Sequence, residues 1–120
     1  MKRWLAPAAV VLILGAAVSA AVPGRGEEAF AKRCSGCHAL DSNREGPRLR
    51  GVAGRRAGTV ADFPYSEELR KSGIVWDEKT LDDWLQDPEK LVPGTNMEFR
   101  LTVAEERSAI IGYLKSLPAR

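Results

Sequence analysis

Five consecutive residues constrain this chain more than any other feature: Cys34-Ser35-Gly36-Cys37-His38. They contain both cysteines and the single histidine of the 120-residue sequence. Two cysteines at this spacing, followed directly by a histidine, are the pattern of covalent haem attachment. In such a site each thiol adds across one vinyl group of the haem, and the histidine binds the iron from one side. The motif therefore predicts one covalent haem c, held by Cys34 and Cys37, with His38 as an axial ligand of its iron.

Three other interpretations of the cysteine pair are weaker. A zinc site needs about four ligands, and two Cys and one His would have to be joined by carboxylates. A thioredoxin-like redox pair belongs to a βαβ context, and no strand pattern precedes Cys34. A simple disulfide would close too small a loop to stabilise a domain much, and it would leave His38 without a role.

The N-terminus has the pattern of an export signal. Lys2 and Arg3 form a short positive region, an apolar run follows over residues 8–22, and small residues fill positions 18–21. This pattern is typical of a cleaved secretory signal. It agrees with the motif, because haem is attached to such motifs outside the bacterial cytoplasm. We therefore expect a periplasmic protein.

An uncleaved membrane anchor is the alternative for the same segment. The 19 residues from Trp4 to Val22 border on the length that spans a bilayer. Pro7 and the many alanines weaken that interpretation. We predict a signal peptide over residues 1–21 and one domain over residues 22–120, with membrane contact only through a partner or through an uncleaved anchor.

Net charge excludes one class of partner. Lys2 and Arg3 are two of the 18 basic residues, and the other basic residues balance the 16 acidic ones. A neutral mature chain argues against nucleic-acid binding by bulk electrostatics. A chain of this length builds only a modest core, so a buried haem would supply much of the apolar surface around which it folds.

Helical patterns dominate the rest of the chain, and strand signals are nearly absent. We predict helices over residues 26–33, 67–70 and 78–87, and a last helix that ends near Leu117. Residues 39–65 and 88–101 show no sustained period and are predicted to be loops. Long loops are unusual in a small domain unless they are functional, and wrapping a cofactor is such a function. The predicted fold is all-α, with three to five helices and long loops around one haem.

Capping signals sharpen two helix starts. Asp77 is placed to cap the third helix, with Trp76 and Leu81 as a hydrophobic staple. Thr102 and Glu105 form a predicted capping box for the last helix. The apolar face of that helix is expected to contain Val103, Ile110, Ile111, Leu114 and Leu117.

The second axial ligand follows by elimination. Haem iron is usually held by His, Met, Cys or Tyr. Both cysteines are used for attachment, and His38 is the only histidine. Met1 belongs to the predicted signal, which leaves Met97 in a loop after the Pro93-Gly94 turn. Met97 is the predicted ligand; an open iron or a lysine-ligated iron is the alternative.

These motifs together resemble a class I c-type cytochrome of the bacterial cytochrome c2 and mitochondrial cytochrome c type. The resemblance covers residues 26–117 in order. It rests on the haem motif and on four further stretches. These are Gly26 with Phe30, Gly46-Pro47-x-Leu49-x-Gly51 with Gly54-Arg55, Pro93-Gly94-Thr95-x-Met97-x-Phe99, and Tyr113-Leu114.

The resemblance implies roles for the residues around the haem. The Pro47 carbonyl would accept the ring N–H of His38 and fix the ring. Arg55 would lie near a haem propionate, and Tyr65 and Trp76 would donate hydrogen bonds to the propionates. Thr95 belongs to the loop that carries Met97. Gly26 would let the terminal helices cross closely.

Several positions depart from the family pattern. Trp84 stands where the family usually has a tyrosine near the ligand sulfur, and its N–H remains a possible donor to that sulfur. Leu69 replaces a common asparagine. Glu89 and Asn96 replace lysines that surround the haem edge, although Arg33, Arg44 and Lys90 keep part of a basic ring.

The resemblance implies a monomeric electron carrier rather than an enzyme. It would exchange one electron with a donor and an acceptor protein, through transient docking at the haem edge. One alternative is the haem subunit of a larger periplasmic dehydrogenase. A second is a five-coordinate haem peroxidase or ligand-binding protein, although no distal histidine exists to assist it.

Overall fold

The computed structural model describes residues 1–12, 15 and 24–120. Its helices are α1 (Arg25–Arg33), α2 (Glu67–Lys71), α3 (Glu78–Gln86), α4 (Pro88–Leu91) and α5 (Ala104–Lys115). Across these ranges there is no strand, only one isolated antiparallel bridge between Arg56 and Val75. The predicted all-α fold with long loops is confirmed.

The predicted signal peptide lies partly outside the described residues. Residues 1–12 carry no helix and are exposed, while the predicted cleavage positions belong to the stretch that is not described. In the part that is described, no helix has both the length and the apolar character needed to cross a bilayer. The boundary between signal and domain therefore stays a prediction.

The two ends of the domain meet where α1 crosses α5. Gly26 lies directly against the Ala109 carbonyl and the Tyr113 side chain, so a larger residue there would push the helices apart. The Phe30 and Tyr113 rings pack with their centroids 5.6 Å apart. Arg33 at the end of α1 pairs with Glu106 at 2.7 Å. The close crossing that the resemblance implied for Gly26 is present, and it fixes the direction in which the chain enters Cys34.

Helix α3 begins as its sequence predicts. The Asp77 carboxylate accepts a hydrogen bond from the Thr80 amide at 2.8 Å, and the Thr80 hydroxyl accepts one from the Asp77 amide at 2.8 Å. This reciprocal pair satisfies amides that a helix start leaves without partners. Trp76 and Leu81, the predicted staple residues, are both buried in the core.

The predicted loop over residues 88–101 is wrong at its start. Asp87 adopts an extended backbone, which ends α3 at Gln86, and its side chain then accepts from the Lys90 amide to cap α4. Pro88 occupies the first turn of α4, where its missing N–H costs nothing. Pro88 therefore starts a second, short helix where the sequence predicts a loop.

The start of α5 differs from the sequence prediction. The N-cap residue is Val103, with no side-chain cap, so the Thr102–Glu105 capping box is absent. Val103 is 43% exposed, whereas Arg107 is 8% exposed and takes its place on the buried face. The physical reason is that the Arg107 guanidinium donates to the Thr102 carbonyl and to Asp82, and so enters the core with its charge paired.

Gly26→Ala should destabilise the domain by about 1–3 kcal/mol, because the added methyl group overpacks the α1–α5 crossing. Gly112→Ala, in α5, is the matched control: a methyl group there meets nothing within 4 Å. That control should stabilise the helix by up to about 1 kcal/mol. Urea unfolding of the two haem-loaded variants measures both effects. Equal stability of the two variants would contradict the crossing described above.

Candidate functional site

One large cavity opens between the loop that follows α1 and the segment that precedes α5. Its volume is about 830 Å³, within the range of cofactor sites. Core side chains from α3 and α5 form part of its walls, among them Leu81, Leu85, Ile110 and Leu114. All ten residues that sequence analysis assigns to the site line this cavity: Cys34, Cys37, His38, Pro47, Arg55, Tyr65, Trp76, Trp84, Thr95 and Met97.

The cysteine end of the cavity is built by the last turn of α1. The Cys34 amide donates to the Phe30 carbonyl at 2.8 Å, and the His38 amide donates to the Cys34 carbonyl at 2.9 Å. Both thiols are free; Cys34 is partly buried and Cys37 is exposed. Burial raises the pKa of the Cys34 thiol to about 11. Both cysteines border the same cavity, as covalent attachment of one group through two thioethers requires.

His38 is held in one orientation. Its Nδ1 lies 2.9 Å from the Pro47 carbonyl oxygen, so that nitrogen carries the proton and donates it. Burial lowers the pKa of the imidazole, although the hydrogen bond to Pro47 partly offsets this effect. A neutral ring with Nδ1 protonated leaves the Nε2 lone pair free to bind a metal.

Gly46 makes the approach of the His38 ring possible. A Cβ atom at this position would lie 2.6 Å from both ring nitrogens, closer than carbon and nitrogen atoms can pack. The Gly46 amide also donates to the Cys37 carbonyl at 2.8 Å, which pins the loop against the motif. The sequence shows Gly46-Pro47 at this place, but only the packing shows that a residue without a side chain is needed beside the histidine ring.

Met97 faces the cavity with its sulfur already engaged. The Trp84 indole Nε1–H donates to Met97 Sδ at 3.2 Å. Trp84 is 8% exposed, and its ring packs edge-on against Trp76 with centroids 5.2 Å apart. The indole is therefore rigidly placed. The donor that sequence analysis left as a possibility is present in the structure, on the residue that departs from the family pattern.

A half-buried cation marks the polar end. Arg55 Nη2 donates to the Arg48 carbonyl at 3.0 Å, and no carboxylate pairs with Arg55 in the described residues. Burial lowers the pKa of its guanidinium. Tyr65 accepts from the Val60 amide at 3.2 Å, which leaves its own hydroxyl hydrogen free to donate. An anionic group at this end would pair with the Arg55 guanidinium and accept a hydrogen bond from the Tyr65 hydroxyl, since buried charges are normally paired.

Charges of both signs surround the cavity. Arg33, Arg44, Glu45, Asp62 and Glu98 all border it. Lys90 does not: it lines a separate depression beside Asp83 and Asp87. Of the three cations that were predicted to lie around the haem edge, Arg33 and Arg44 therefore border the cavity and Lys90 does not. Sequence analysis missed Glu45, whose carboxylate lies 3.3 Å from Cys37 Sγ; nothing in the local pattern signals that contact.

The residues of this cavity fit a covalently attached haem. Two free thiols are the groups that covalent attachment needs, and a neutral imidazole and a thioether sulfur are groups of the kind that bind haem iron. The apolar walls suit the porphyrin ring. Arg55 and Tyr65 suit its carboxylates, because they offer donors that the described residues leave without an anion.

Comparison with known proteins agrees with this geometry. The family model named Cytochrome c matches residues 24–118. The chain is 45% identical over 87 residues to cytochrome c2 iso-2 of Magnetospirillum fulvum, covering 70% of this chain and 91% of that protein. It is 42% identical over 94 residues to cytochrome c 2.1 of Caenorhabditis elegans, covering 76% of this chain and 85% of the relative.

A solved structure is also similar. Cytochrome cH from Methylobacterium extorquens superposes with a TM-score of 0.73 at 44% sequence identity, over 78% of this chain and 96% of that one. Similarity at this level extends to the arrangement of the helices as well as to the motif.

Gly46→Ala should displace the His38 ring, because the added methyl group occupies the space of the imidazole. We expect a fall of several degrees in the thermal midpoint of the haem-loaded protein, roughly 4–8 °C for each kcal/mol lost. Gly112→Ala is the control, because Gly112 lies outside the cavity lining and a methyl group there meets nothing within 4 Å. A Gly46→Ala midpoint equal to that of the control would show that the ring tolerates displacement.

Proposed function

Because the chain belongs to the cytochrome c family, we propose that it is a single-haem electron carrier whose iron is held by His38 and Met97. Members of this family carry haem c with its iron, and Cys34 and Cys37 stand at the attachment positions. One observation carries the proposal: His38 and Met97 line one cavity, and each is oriented by its own hydrogen bond. The bound haem supplies the one-electron couple between ferrous and ferric iron.

The residues on the two sides of the cavity have distinct tasks. Pro47 accepts the hydrogen bond from His38 Nδ1, which leaves Nε2 as the nitrogen that would bind the iron and strengthens the ring as a ligand. Trp84 holds the Met97 sulfur and withdraws electron density from it. Because a less basic sulfur stabilises ferric iron less, this contact favours the reduced state. Thr95 lies at the cavity two residues before Met97, and its amide donates to the Val92 carbonyl at 3.2 Å, closing the turn that leads to the ligand.

The polar end neutralises the haem carboxylates. Arg55 would pair with one of them, while Tyr65 and Trp76 donate hydrogen bonds. Arg55, Tyr65 and Trp76 would hold the carboxylates in place when the iron changes charge. A site that changes little on electron transfer is suited to a carrier.

Ligation of the iron by both His38 and Met97 would argue against catalysis. A peroxidase needs an open position on the iron and a distal base, and His38 is the only histidine of the chain. With Met97 bound, no substrate reaches the metal. We therefore propose that the protein exchanges electrons only.

The N-terminal signal pattern bears on location, and the charges around the cavity bear on partners. We propose a periplasmic monomer that docks transiently on a donor and an acceptor at the haem edge, as small redox interfaces do. The mixed charges of Arg44, Glu45 and Glu98 at that edge differ from a uniformly basic ring. They favour partners that recognise shape and mixed polarity rather than a strongly acidic surface.

Carbon monoxide tests whether the iron is closed. Added to the ferrous haem-loaded protein at neutral pH, it should leave the absorption spectrum unchanged, because Met97 occupies the only position it can take. Met97→Ala should bind carbon monoxide readily. Ready binding by the unaltered protein would contradict the carrier proposal and favour a ligand-binding haem protein.

Trp84→Phe should lower the reduction potential by about 20–60 mV, because one hydrogen bond of ordinary strength to the ligand sulfur is lost. Tyr113→Phe is the control, since it also removes one polar hydrogen from an aromatic ring but lies outside the cavity lining. Spectroelectrochemical titration of both variants measures the shift. A potential unchanged in Trp84→Phe would mean that the indole only fills space.

A further inference from the structure

The segment that carries Met97 has little support of its own. Among the described residues, the backbone groups of residues 96–100 make no hydrogen bond to other backbone groups. Arg100 pairs with Asp87 at 3.3 Å through its exposed side chain, and the backbone of the segment is held at its two ends. At the first end, the Gly94 amide donates to the Glu89 carboxylate at 3.1 Å. At the second end, the Leu101 amide donates to the Leu85 carbonyl of α3 at 2.7 Å.

Arg107 secures that second end. Its Nη1 donates to the Leu101 carbonyl at 2.9 Å and to the Thr102 carbonyl at 3.1 Å. Its Nε donates to Asp82 of α3 at 2.7 Å. Arg107 is the one charged residue that is buried in the described part of the chain. Leu101 is thus fastened on both sides, to α3 through its amide and to α5 through its carbonyl.

Helix α3 contacts both Met97 and the end of its segment at Leu101. Trp84 of α3 binds the Met97 sulfur, Leu85 binds the Leu101 amide, and Asp82 binds Arg107. The position of Met97 is therefore set by two contacts with α3: Trp84 binds its sulfur, and Leu85 binds the backbone four residues later, at Leu101.

We propose that the Asp82–Arg107 ion pair positions Met97 on the iron by fixing the end of its segment. This inference rests on the proposed ligation by Met97. Without the pair, the Leu101–Thr102 backbone loses its donors from α5, and the suspended segment moves away from the iron more often. Arg107 and Asp82 are positioning residues, because neither lines the cavity.

Two other ion pairs of α3 provide controls. Lys115 and Glu78 also join α5 to α3, at 3.0 Å, but both are exposed and neither bonds to residues 95–103. Asp83 neighbours Asp82 on α3 and pairs with Lys79, at 2.8 Å, on the helix surface. Removal of either control pair changes the charge and the contacts of the helices but leaves the hydrogen bonds to Leu101 and Thr102 intact.

Imidazole binding to the ferric haem-loaded protein tests the inference, because imidazole can bind only when Met97 has left. Its apparent affinity is the intrinsic affinity multiplied by the open fraction. Arg107→Met should raise that affinity by about tenfold or more, and Asp82→Asn by about threefold or more. Lys115→Met and Asp83→Asn should change it by less than about twofold. If Arg107→Met does not fold, Asp82→Asn against Asp83→Asn decides the question.

Denaturant unfolding of the same variants separates positioning from bulk stability. A lower unfolding midpoint in Asp82→Asn, with imidazole affinity unchanged in denaturant-free buffer, would overturn the inference and leave a purely structural ion pair. The unaltered protein tests the proposed function separately. If the unaltered ferric protein shows no far-red absorption of a methionine–iron bond before imidazole is added, then Met97 is not a ligand. In that case the proposed function is contradicted before the role of the ion pair is tested.

Discussion

The apolar cavity between His38 and Met97 is the constraint on which the rest of this structure depends. Leu81, Leu85, Ile110 and Leu114 belong to the hydrophobic core and also line the cavity. A domain of this size has little other apolar surface to bury. Its core is therefore arranged as a shell, and a haem held through Cys34 and Cys37 completes it. The long loops follow from the same constraint, because they cover a flat cofactor that helices alone would leave open.

Local signals allowed much of the fold to be predicted. Asp77 caps α3 because a carboxylate before an apolar stripe satisfies free amides, and the sequence shows that pattern directly. The haem motif, Met97 and the residues around them followed from chemistry and from family resemblance, and all of them reach the same cavity.

Other features depend on contacts that are distant in sequence. Arg107 lies at helical spacing from Ile110 and Ile111, yet a charged residue is not expected on a buried face. Its burial becomes reasonable only when Asp82 and the Leu101 carbonyl are known to be adjacent. The absent capping box has the same origin, since the carbonyl of Thr102 is recruited by Arg107. The contact of Gly46 with the His38 ring likewise has no signature in the local sequence.

Helix α3 unites these observations. Trp84 stands where the resemblance predicts a tyrosine, and its indole N–H donates to the Met97 sulfur. The next residue, Leu85, binds the backbone at the end of the segment that carries Met97. The electronic environment of the sulfur and its position are thus set by one helix.

The absorption spectrum of the ferric haem-loaded protein is the most direct test of whether Met97 and His38 both bind the iron. We expect a low-spin spectrum with the weak far-red charge-transfer band of a methionine–iron bond, and loss of that band in Met97→Ala. A high-spin spectrum without the band in the unaltered protein would contradict this ligation, because it would show an open iron.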